Sequence, residues 1–148
     1  EISRHLERAF DKQGITSMTG ARVDGIDIDG GQATVSVSVG DESVSIECDK
    51  VLVAVGVQGN VEDIGLEAVE VHTERGFIVV DDRMQTSVSG IYAVGDVSGK
   101  LALAHVASAQ GVTAVEVMAG LEPPVLDYSF MPRAIYCRPQ VASFGLTE

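Results

Sequence analysis

The sequence is poor in basic residues and contains no long apolar run. Its 148 residues include 10 Lys and Arg against 22 Asp and Glu, which gives a formal net charge of −12. A protein that binds many phosphates needs clustered cations, so this balance argues against a nucleic-acid binder and against an anionic membrane surface. No apolar run approaches the roughly 18 residues of a membrane-spanning helix. We therefore predict neither a nucleic-acid partner nor a membrane partner.

Cysteine is also scarce. Cys48 and Cys137 lie far apart and match neither a CxxC pair nor a zinc-ligand spacing. This usage is typical of a reduced compartment, the cytoplasm or, in a eukaryote, an organelle matrix or stroma. We predict packed thiols rather than a redox pair, and no metal site.

The chain is apolar enough to fold around a core. Apolar residues make up 45% of it, and a domain of about 150 residues buries roughly two-thirds of its unfolded surface. A one-sided helical stripe opens the sequence, at Ile2, Leu6, Ala9 and Phe10, and Gly14 is placed to end that helix. Because Glu1 falls inside this pattern and Glu148 directly follows an apolar stretch, we interpret both ends as cuts through a longer protein.

Residues 21–48 are predicted to form a three-stranded antiparallel meander. The first strand loses its alternation by one residue at Gly25, which predicts a β-bulge. Asp29-Gly30 is a hairpin signal, and the following strand alternates strictly between valines and polar residues. A second polar turn, at residues 40–43, leads into the third strand.

A change of pattern after the meander predicts a layered α/β core. Val51–Val55 is continuously apolar and is followed by Gly56. This pattern is typical of a strand in a parallel sheet that is covered on both faces. Ile91–Val94 repeats the pattern and ends at Gly95. Between them we predict a helical turn at residues 64–66 and a short strand at residues 77–80.

Ala104–Met118 is predicted to be a helix that ends at Gly120. Small side chains share one stripe of it, at Ala107, Ser108, Gly111, Ala114 and Val115. Such a face allows close packing on a sheet or a flat ligand. Residues 134–147 then begin a new element with strand character.

The strongest chemical signal is Gly95-Asp96, followed nine residues later by His105 at the start of the helix. Ligands of open α/β sheets bind outside the carboxyl ends of the strands, where Asp96 would lie. Its carboxylate only accepts hydrogen bonds and suits a sugar or sugar-alcohol hydroxyl, while the helix N-terminus suits an electron-rich group. On spacing alone, an Asp after Gly at the end of a strand is usually a turn residue, and the alternative for His105 is an ordinary helix-start residue.

Four segments together carry a family resemblance: VLVAVGVQGN at 51–60, TERGFIVVDDRMQTSVSGIYAVGDV at 73–97, LAHVASAQG at 103–111 and IYCRPQVASFGLTE at 135–148. In order and nearly without gaps, the chain resembles the dihydrolipoyl dehydrogenases, members of the pyridine nucleotide-disulfide oxidoreductase flavoproteins. The GIYAVGD run is common to the superfamily. The Leu103-Ala104-His105 triplet and Val141-Ala142-Ser143 resemble the dihydrolipoyl branch.

The resemblance implies an α/β fold class: partial FAD/NAD(P)-binding Rossmann-like domains with an antiparallel β-meander, plus the start of an α+β dimerisation domain. Residues 1–56 would be the C-terminal part of the NAD-binding domain. Residues 57–128 would be the returning segment of the FAD-binding domain, and residues 129–148 the start of the interface domain of a homodimer.

The resemblance also implies cofactor contacts. Asp96, next to Gly95, would accept hydrogen bonds from ribityl or ribose hydroxyls of FAD. Four residues would lie along the flavin, namely Ala102, Leu103, Ala104 and His105. Gly56 and Val23 would approach NAD through their backbone. The chain departs from the family at Val57-Gln58-Gly59, where Arg and then Pro are frequent, so the NAD side is the less closely matched.

The implied activity is FAD-dependent oxidation of protein-bound dihydrolipoamide by NAD, with lipoyl domains of 2-oxoacid dehydrogenase or glycine-cleavage complexes as partners. The CxxxxC redox disulfide, the glycine-rich fingerprints and the catalytic His of the family have no counterpart in residues 1–148. We therefore predict no catalytic residue here, no activity of this chain alone and no tight retention of FAD or NAD by it. The alternatives are a related flavin disulfide reductase and a non-catalytic stand-alone module.

Overall fold

The structure is a computed structural model that describes residues 2–146; Glu1, Thr147 and Glu148 lie outside the described residues. The chain divides into two compact units. The first extends to Val55 and includes Tyr136–Val141, and the second comprises Gly56–Ile135 and the residues from Ala142 onward. Within residues 2–146, no helix combines the length and the apolar character that crossing a membrane requires.

The first unit begins with helix α1, Ile2–Lys12. Its predicted apolar stripe includes the half-buried Phe10, whose carbonyl accepts a hydrogen bond from Ile15 N at 3.0 Å. Gly14 ends the helix with φ of 78°. The predicted helix and its glycine end are confirmed.

Three antiparallel strands follow: β1 (Ala21–Asp29), β2 (Gln32–Val39) and β3 (Glu42–Cys48). The β1–β2 register shifts between Val23 and Gly25, so the predicted bulge is confirmed. Both connections are two-residue loops, because Asp29 pairs with Gln32 and Val39 with Glu42. Loops this short fix the register of the hairpins they close.

The bulge keeps the apolar side chains of β1 on one face of the sheet. Because side chains alternate along a strand, Val23 and Ile26 would point to opposite faces without the extra residue. The register instead forms three cross-strand rows: Val23, Val37 and Val44; Ile26, Val35 and Ile46; Ile28, Ala33 and Cys48. Only the central strand buries its members of these rows, with Val37 5% exposed.

Two predicted strands are absent, and these predictions are wrong. Val51–Val55 has no ladder partner among residues 2–146, and its Leu52 and Val55 are 90% and 91% exposed. Ile91–Val94 contributes only an isolated bridge between Tyr92 and Gln85. A strand of a parallel sheet obtains its partners from distant crossover units. The residues flanking these two segments form an antiparallel meander and loops instead.

The second unit has a small apolar core. Its buried members are Val61, Val71, Ile78, Val80, Met84, Ala93 and Ala114. A hairpin of β4 (Thr73–Glu74) and β5 (Phe77–Ile78) borders it, so the predicted strand at 77–80 is shorter than expected. The predicted helical turn occurs as a 3₁₀ turn at Glu67–Val69, beyond the expected residues 64–66.

Hydrogen bonds across loops organise residues 81–93 without strands. Asp81 Oδ1 accepts from Arg83 N at 2.8 Å and from Gln85 N at 2.9 Å. Ala93 N donates to Met84 O at 3.1 Å. These bonds satisfy backbone groups that a sheet ladder would otherwise satisfy, and they bring Met84, which is 1% exposed, into the core.

Helix α2 spans Ala104–Met118, the predicted bounds, and Gly120 follows it with φ of 78°. Its buried face consists of Val106, Gln110, Thr113 and Ala114. The predicted small-residue stripe shares only Ala114 with that face, while Ser108 and Val115 are exposed. The buried face is rotated relative to the predicted stripe, and it carries the Gln110 amide, which is hydrogen-bonded inside the unit.

The last described segment contains a 3₁₀ turn (Tyr128–Phe130) and a two-stranded sheet of β6 (Arg133–Ile135) and β7 (Val141–Ser143). Strand character is thus confirmed inside the predicted range 134–147, whose last residue lies outside the described residues. The rings of Phe130 and Phe144 pack edge to face with centroids 5.9 Å apart. The predicted mixture of helices and strands is confirmed, whereas the Rossmann-like and dimerisation domains stay predictions.

Candidate cofactor-binding site

A tight turn begins at Gly95, which is buried and has φ of 80° and ψ of −156°. The Gly95 carbonyl accepts from Ser98 N at 3.0 Å and from Ser98 Oγ at 2.7 Å. A side chain at this φ would be strained, and a Cβ on Gly95 would come to 3.4 Å from Ala107 Cβ. Glycine therefore allows the turn to lie directly against α2.

Asp96 is the first residue of the 3₁₀ turn Asp96–Ser98, and it is exposed. Its carbonyl accepts from Gly99 N at 3.0 Å, which closes the turn. Gly99 packs so closely that an added Cβ would lie 2.7 Å from Phe77 Cγ. The backbone around Asp96 is thus fixed at both ends while its carboxylate lies at the surface.

The N-terminus of α2 has no side-chain cap. Leu103 is the N-cap residue in an extended conformation, with φ of −139° and ψ of 137°, and the first turn holds no acidic residue. The first helical bond runs from Ala107 N to Leu103 O at 3.0 Å. The preceding helical N–H groups therefore have no i→i−4 acceptor and can donate to an external anion or electron-rich edge.

Gln110 joins the turn to the helix. Its side chain is fully buried, and Oε1 accepts from Gly95 N at 2.6 Å. Nε2 donates to Tyr128 Oη at 3.0 Å and contacts Ser98 Oγ at 3.5 Å. One amide therefore contacts the turn at two places and the segment after α2 at a third.

The predicted flavin-side residues all fall on this arrangement of turn and helix start. Ala102, Ala104 and His105 are exposed at or beside the start of α2, while Leu103 is half-buried. These residues and Asp96 belong to the second unit. Their contacts with FAD stay predictions.

The two predicted NAD-side residues are placed elsewhere. Gly56 is exposed at the start of the second unit, with φ of 126°. Val23 belongs to the first unit and is 58% exposed on β1. It lines an open apolar groove of about 580 Å³ on the meander, together with Thr16, Met18, Ala21, Val35, Val37 and Ile46. Val23 and the Gly95 turn belong to different units, and both NAD contacts stay predictions.

The electrostatics of the second unit are simple. The pKa of Asp127 lies below its ordinary value because the Ser129 hydroxyl and backbone N–H both donate to its carboxylate.

A second open groove, of about 360 Å³, lies beside Ser98, and its lining includes the cationic side chains of Arg75 and Lys100. Across residues 2–146, no three His, Cys, Asp or Glu side chains are grouped as metal ligands would be.

Sequence comparison decides the family. A sequence profile described as pyridine nucleotide-disulphide oxidoreductase matches residues 1–111. The chain belongs to this family. Three relatives named dihydrolipoyl dehydrogenase cover all of the chain: those of Mycobacterium leprae at 50% identity, Chlorobaculum tepidum at 46% and Bacillus subtilis at 45%. The chain spans 32% of each of them, about a third of their length.

Solved structures of the family have the same fold. LpdA from Mycobacterium tuberculosis matches 97% of the chain with a TM-score of 0.85 at 29% identity, over 31% of that protein. The HOCl-induced flavoprotein disulfide reductase RclA from Escherichia coli, in its Cu(II) complex, matches 99% of the chain with a TM-score of 0.84 at 25% identity, over 33% of that protein. The chain therefore has the mixed helix and strand fold of a segment of these two proteins.

Sequence reasoning predicted the Gly95 turn and the start of α2 as the two backbone elements of the candidate site, but it missed Gln110, which joins the turn to the helix. Gln110 lies four residues after Val106 and four before Ala114, on the buried stripe of α2. The sequence signal for Gln110 is its position on the same helical stripe as the apolar Val106 and Ala114. A polar residue on a buried stripe needs hydrogen-bond partners, which predicts contacts with neighbouring segments.

Proposed function

We propose that this chain is one part of an FAD-dependent dihydrolipoyl dehydrogenase. In this enzyme, dihydrolipoamide on a carrier protein is oxidised by NAD through a redox disulfide outside residues 1–148. One observation carries the proposal: the exposed Asp96 lies on a turn that packs against Ala107 and is hydrogen-bonded to Gln110 of α2, a helix whose start has no side-chain cap. The identity of 45–50% with dihydrolipoyl dehydrogenases over the whole chain supports this choice of enzyme.

The donor and acceptor groups of the site fit the hydroxyl-rich part of FAD. The Asp96 carboxylate accepts from ribityl or ribose hydroxyls, and Gly95 allows the turn that carries Asp96 to lie directly against α2. Residues 102–105 border the flavin ring, where the free N–H groups of α2 stabilise negative charge near its pyrimidine end. Bound FAD supplies electron transfer between the disulfide and NAD.

The proposal assigns the rest of the chain accordingly. Residues 1–56 belong to the NAD-binding domain, in which Gly56 and Val23 approach NAD through their backbone. Residues 57–128 belong to the FAD-binding domain and residues 129–148 to the interface of a homodimer. The partners are lipoyl domains of 2-oxoacid dehydrogenase or glycine-cleavage complexes. Without the disulfide and the catalytic His, this chain alone has no dehydrogenase activity and retains neither cofactor tightly.

A related flavin disulfide reductase is the second candidate. The TM-scores of 0.85 and 0.84 for LpdA and RclA are almost equal, so the fold does not distinguish among reductases. The sequence favours the first candidate, because relatives named dihydrolipoyl dehydrogenase are 45–50% identical to the chain, whereas the disulfide reductase RclA is 25% identical. The third candidate is a stand-alone module without catalytic function.

The test begins with the gene. The reading frame is sequenced on both sides of the codons for residues 1–148, and the full-length product is purified. We expect visible flavin absorbance and reduction of NAD that depends on dihydrolipoamide. A flavoprotein that reduces other disulfides but not lipoamide would support the second candidate. A product without flavin or turnover would support the module.

Asp96 itself is tested by Asp96→Ala in the full-length product. Loss of a charged acceptor from a cofactor site costs about 1.5–3 kcal/mol, so FAD binding should weaken roughly 10- to 100-fold. Asp82→Ala is the matched control, because Asp82 is an exposed carboxylate in the loop after β5. Equal FAD affinity of the two variants would remove Asp96 from the site.

A further inference from the structure

Gln110 is the most completely buried polar side chain near the candidate site. It is 0% exposed and lies on α2, behind the surface that carries Asp96. Burying an amide is unfavourable unless its oxygen and nitrogen both find partners. Gln110 satisfies both, through Gly95 N on one side and Tyr128 Oη on the other.

We propose that Gln110 is a positioning residue that fixes the Gly95–Ser98 turn and thereby the direction in which Asp96 presents its carboxylate to a bound dinucleotide. The inference rests on the proposed function, since it concerns the FAD contact assigned to Asp96. Gln110 does not touch the ligand in this proposal. It acts through the backbone of Gly95 and the hydroxyl of Ser98.

The geometry explains why this turn needs an outside support. Gly95 and Gly99 flank Asp96, and both have positive φ, 80° and 65°. Glycine has the largest conformational freedom in the unfolded chain. Two glycines near Asp96 therefore raise the conformational entropy that is lost when the orientation of Asp96 is fixed. The 2.6 Å bond from Gly95 N to Gln110 Oε1 anchors one end of the turn to a helix.

Tyr128 and Ser98 orient the amide itself. Gln110 Nε2 donates to Tyr128 Oη at 3.0 Å. Because the oxygen and nitrogen of an amide point in different directions, this bond keeps Gln110 Oε1 directed at Gly95 N. Ser98 Oγ is shared, since it donates to Gly95 O at 2.7 Å and lies 3.5 Å from Gln110 Nε2. The segment after α2 is thereby connected to the turn that carries Asp96.

A double-mutant cycle on the full-length gene product tests the inference. Gln110→Met keeps the length of the side chain but removes its acceptor and donor. Without the bond from Gly95 N, the turn must be ordered when FAD binds, and FAD binding should weaken about tenfold. If Gln110 acts through Asp96, the double variant with Asp96→Ala should bind FAD no more weakly than Asp96→Ala alone, within about threefold.

A general structural role would give a different result. In that case the two losses multiply, and a double variant about tenfold weaker than Asp96→Ala would overturn the inference. Thr113→Val is the matched control, because it removes another buried polar group from α2, three residues away. Its effect on FAD affinity should combine multiplicatively with Asp96→Ala.

Two further measurements keep the outcomes distinct. If Gln110→Met does not fold, Tyr128→Phe replaces it in the cycle, with a smaller loss expected and the same criterion. Amide hydrogen exchange of residues 95–98 in the cofactor-free protein should be faster in Gln110→Met than in wild type. Wild type that binds no FAD contradicts the proposed function, whereas wild type that binds FAD with multiplicative losses contradicts only the role of Gln110.

Discussion

The two units satisfy their backbone groups in different ways. In the first, β1, β2 and β3 form continuous antiparallel ladders that two-residue loops connect. In the second, side chains replace ladders: Asp81 organises the loop after β5, and Gln110 and Ser98 hold the turn at Gly95. Many ladder hydrogen bonds together hold the backbone of the meander, whereas a few individual side chains hold the backbone of the loops in the second unit. Single substitutions should therefore affect the candidate site more than the sheet.

The largest expected effect is in the core of the second unit. Met84 is 1% exposed and enters that core from a loop. Met84→Ala should lower the free energy of unfolding by about 2–5 kcal/mol, because it removes buried apolar area and leaves a cavity. Urea unfolding of the full-length product measures this. Met118→Ala, at a residue 56% exposed, should change stability by less than about 1 kcal/mol. Equal losses would mean that the loop does not carry a core residue.

A smaller effect is expected at Asp81, where a carboxylate replaces a ladder. Asp81→Ala removes the acceptor of the Arg83 and Gln85 N–H groups and should lower the free energy of unfolding by about 1 kcal/mol. Asp81→Asn retains an oxygen at this position and should lose less. Asp82→Ala, one residue further, serves as the control in the same denaturation experiment. A loss no larger than that of the control would break the contrast between loops and ladders.

The smallest effect is expected in the meander and depends on pH. The Ser38 hydroxyl, and then Arg22, hold the pKa of Asp24 below its ordinary value. A carboxyl whose folded pKa is depressed stabilises the fold above its unfolded pKa, about 3.9, and loses this contribution as pH falls through the folded pKa. The stability difference between wild type and Asp24→Asn should therefore be constant above about pH 5 and shrink below pH 4. Asp41→Asn, in an exposed turn, is the control; a pH-independent difference for Asp24→Asn would contradict the prediction.

Local signals predicted α1, the meander of β1, β2 and β3, and both ends of α2. Asp29-Gly30 and the lost alternation at Gly25 act over neighbouring residues, so their consequences follow from a short stretch of sequence. The same reasoning failed for Val51–Val55 and Ile91–Val94, where apolar runs lack strand partners among the described residues. An apolar run indicates that the side chains of a segment favour burial. Whether that segment becomes a strand depends on pairing with residues that are distant in sequence.

The candidate site also combines features set by neighbouring residues with a feature set by distant ones. Gly95, Asp96 and the helix start were predictable because they are adjacent to recognisable element ends. The contribution of Gln110 was not, since it depends on Gly95, fifteen residues earlier, and on Tyr128, eighteen residues later. The predicted stripe of α2 was defined by side-chain size, whereas the observed buried face includes the hydrogen-bonded amide of Gln110.

The bulge in β1 has a consequence for insertions and deletions. Because Asp24 and Gly25 together oppose Ser36, β1 carries one residue more than its partner at this point. Losing the codon for Asp24 would leave Val23 and Ile26 two positions apart and still on one face. Losing a codon between Ile26 and Ile28 would instead turn Ile28 to the opposite face. Within this strand, the bulge is therefore where a single-codon change in length preserves the inward pattern.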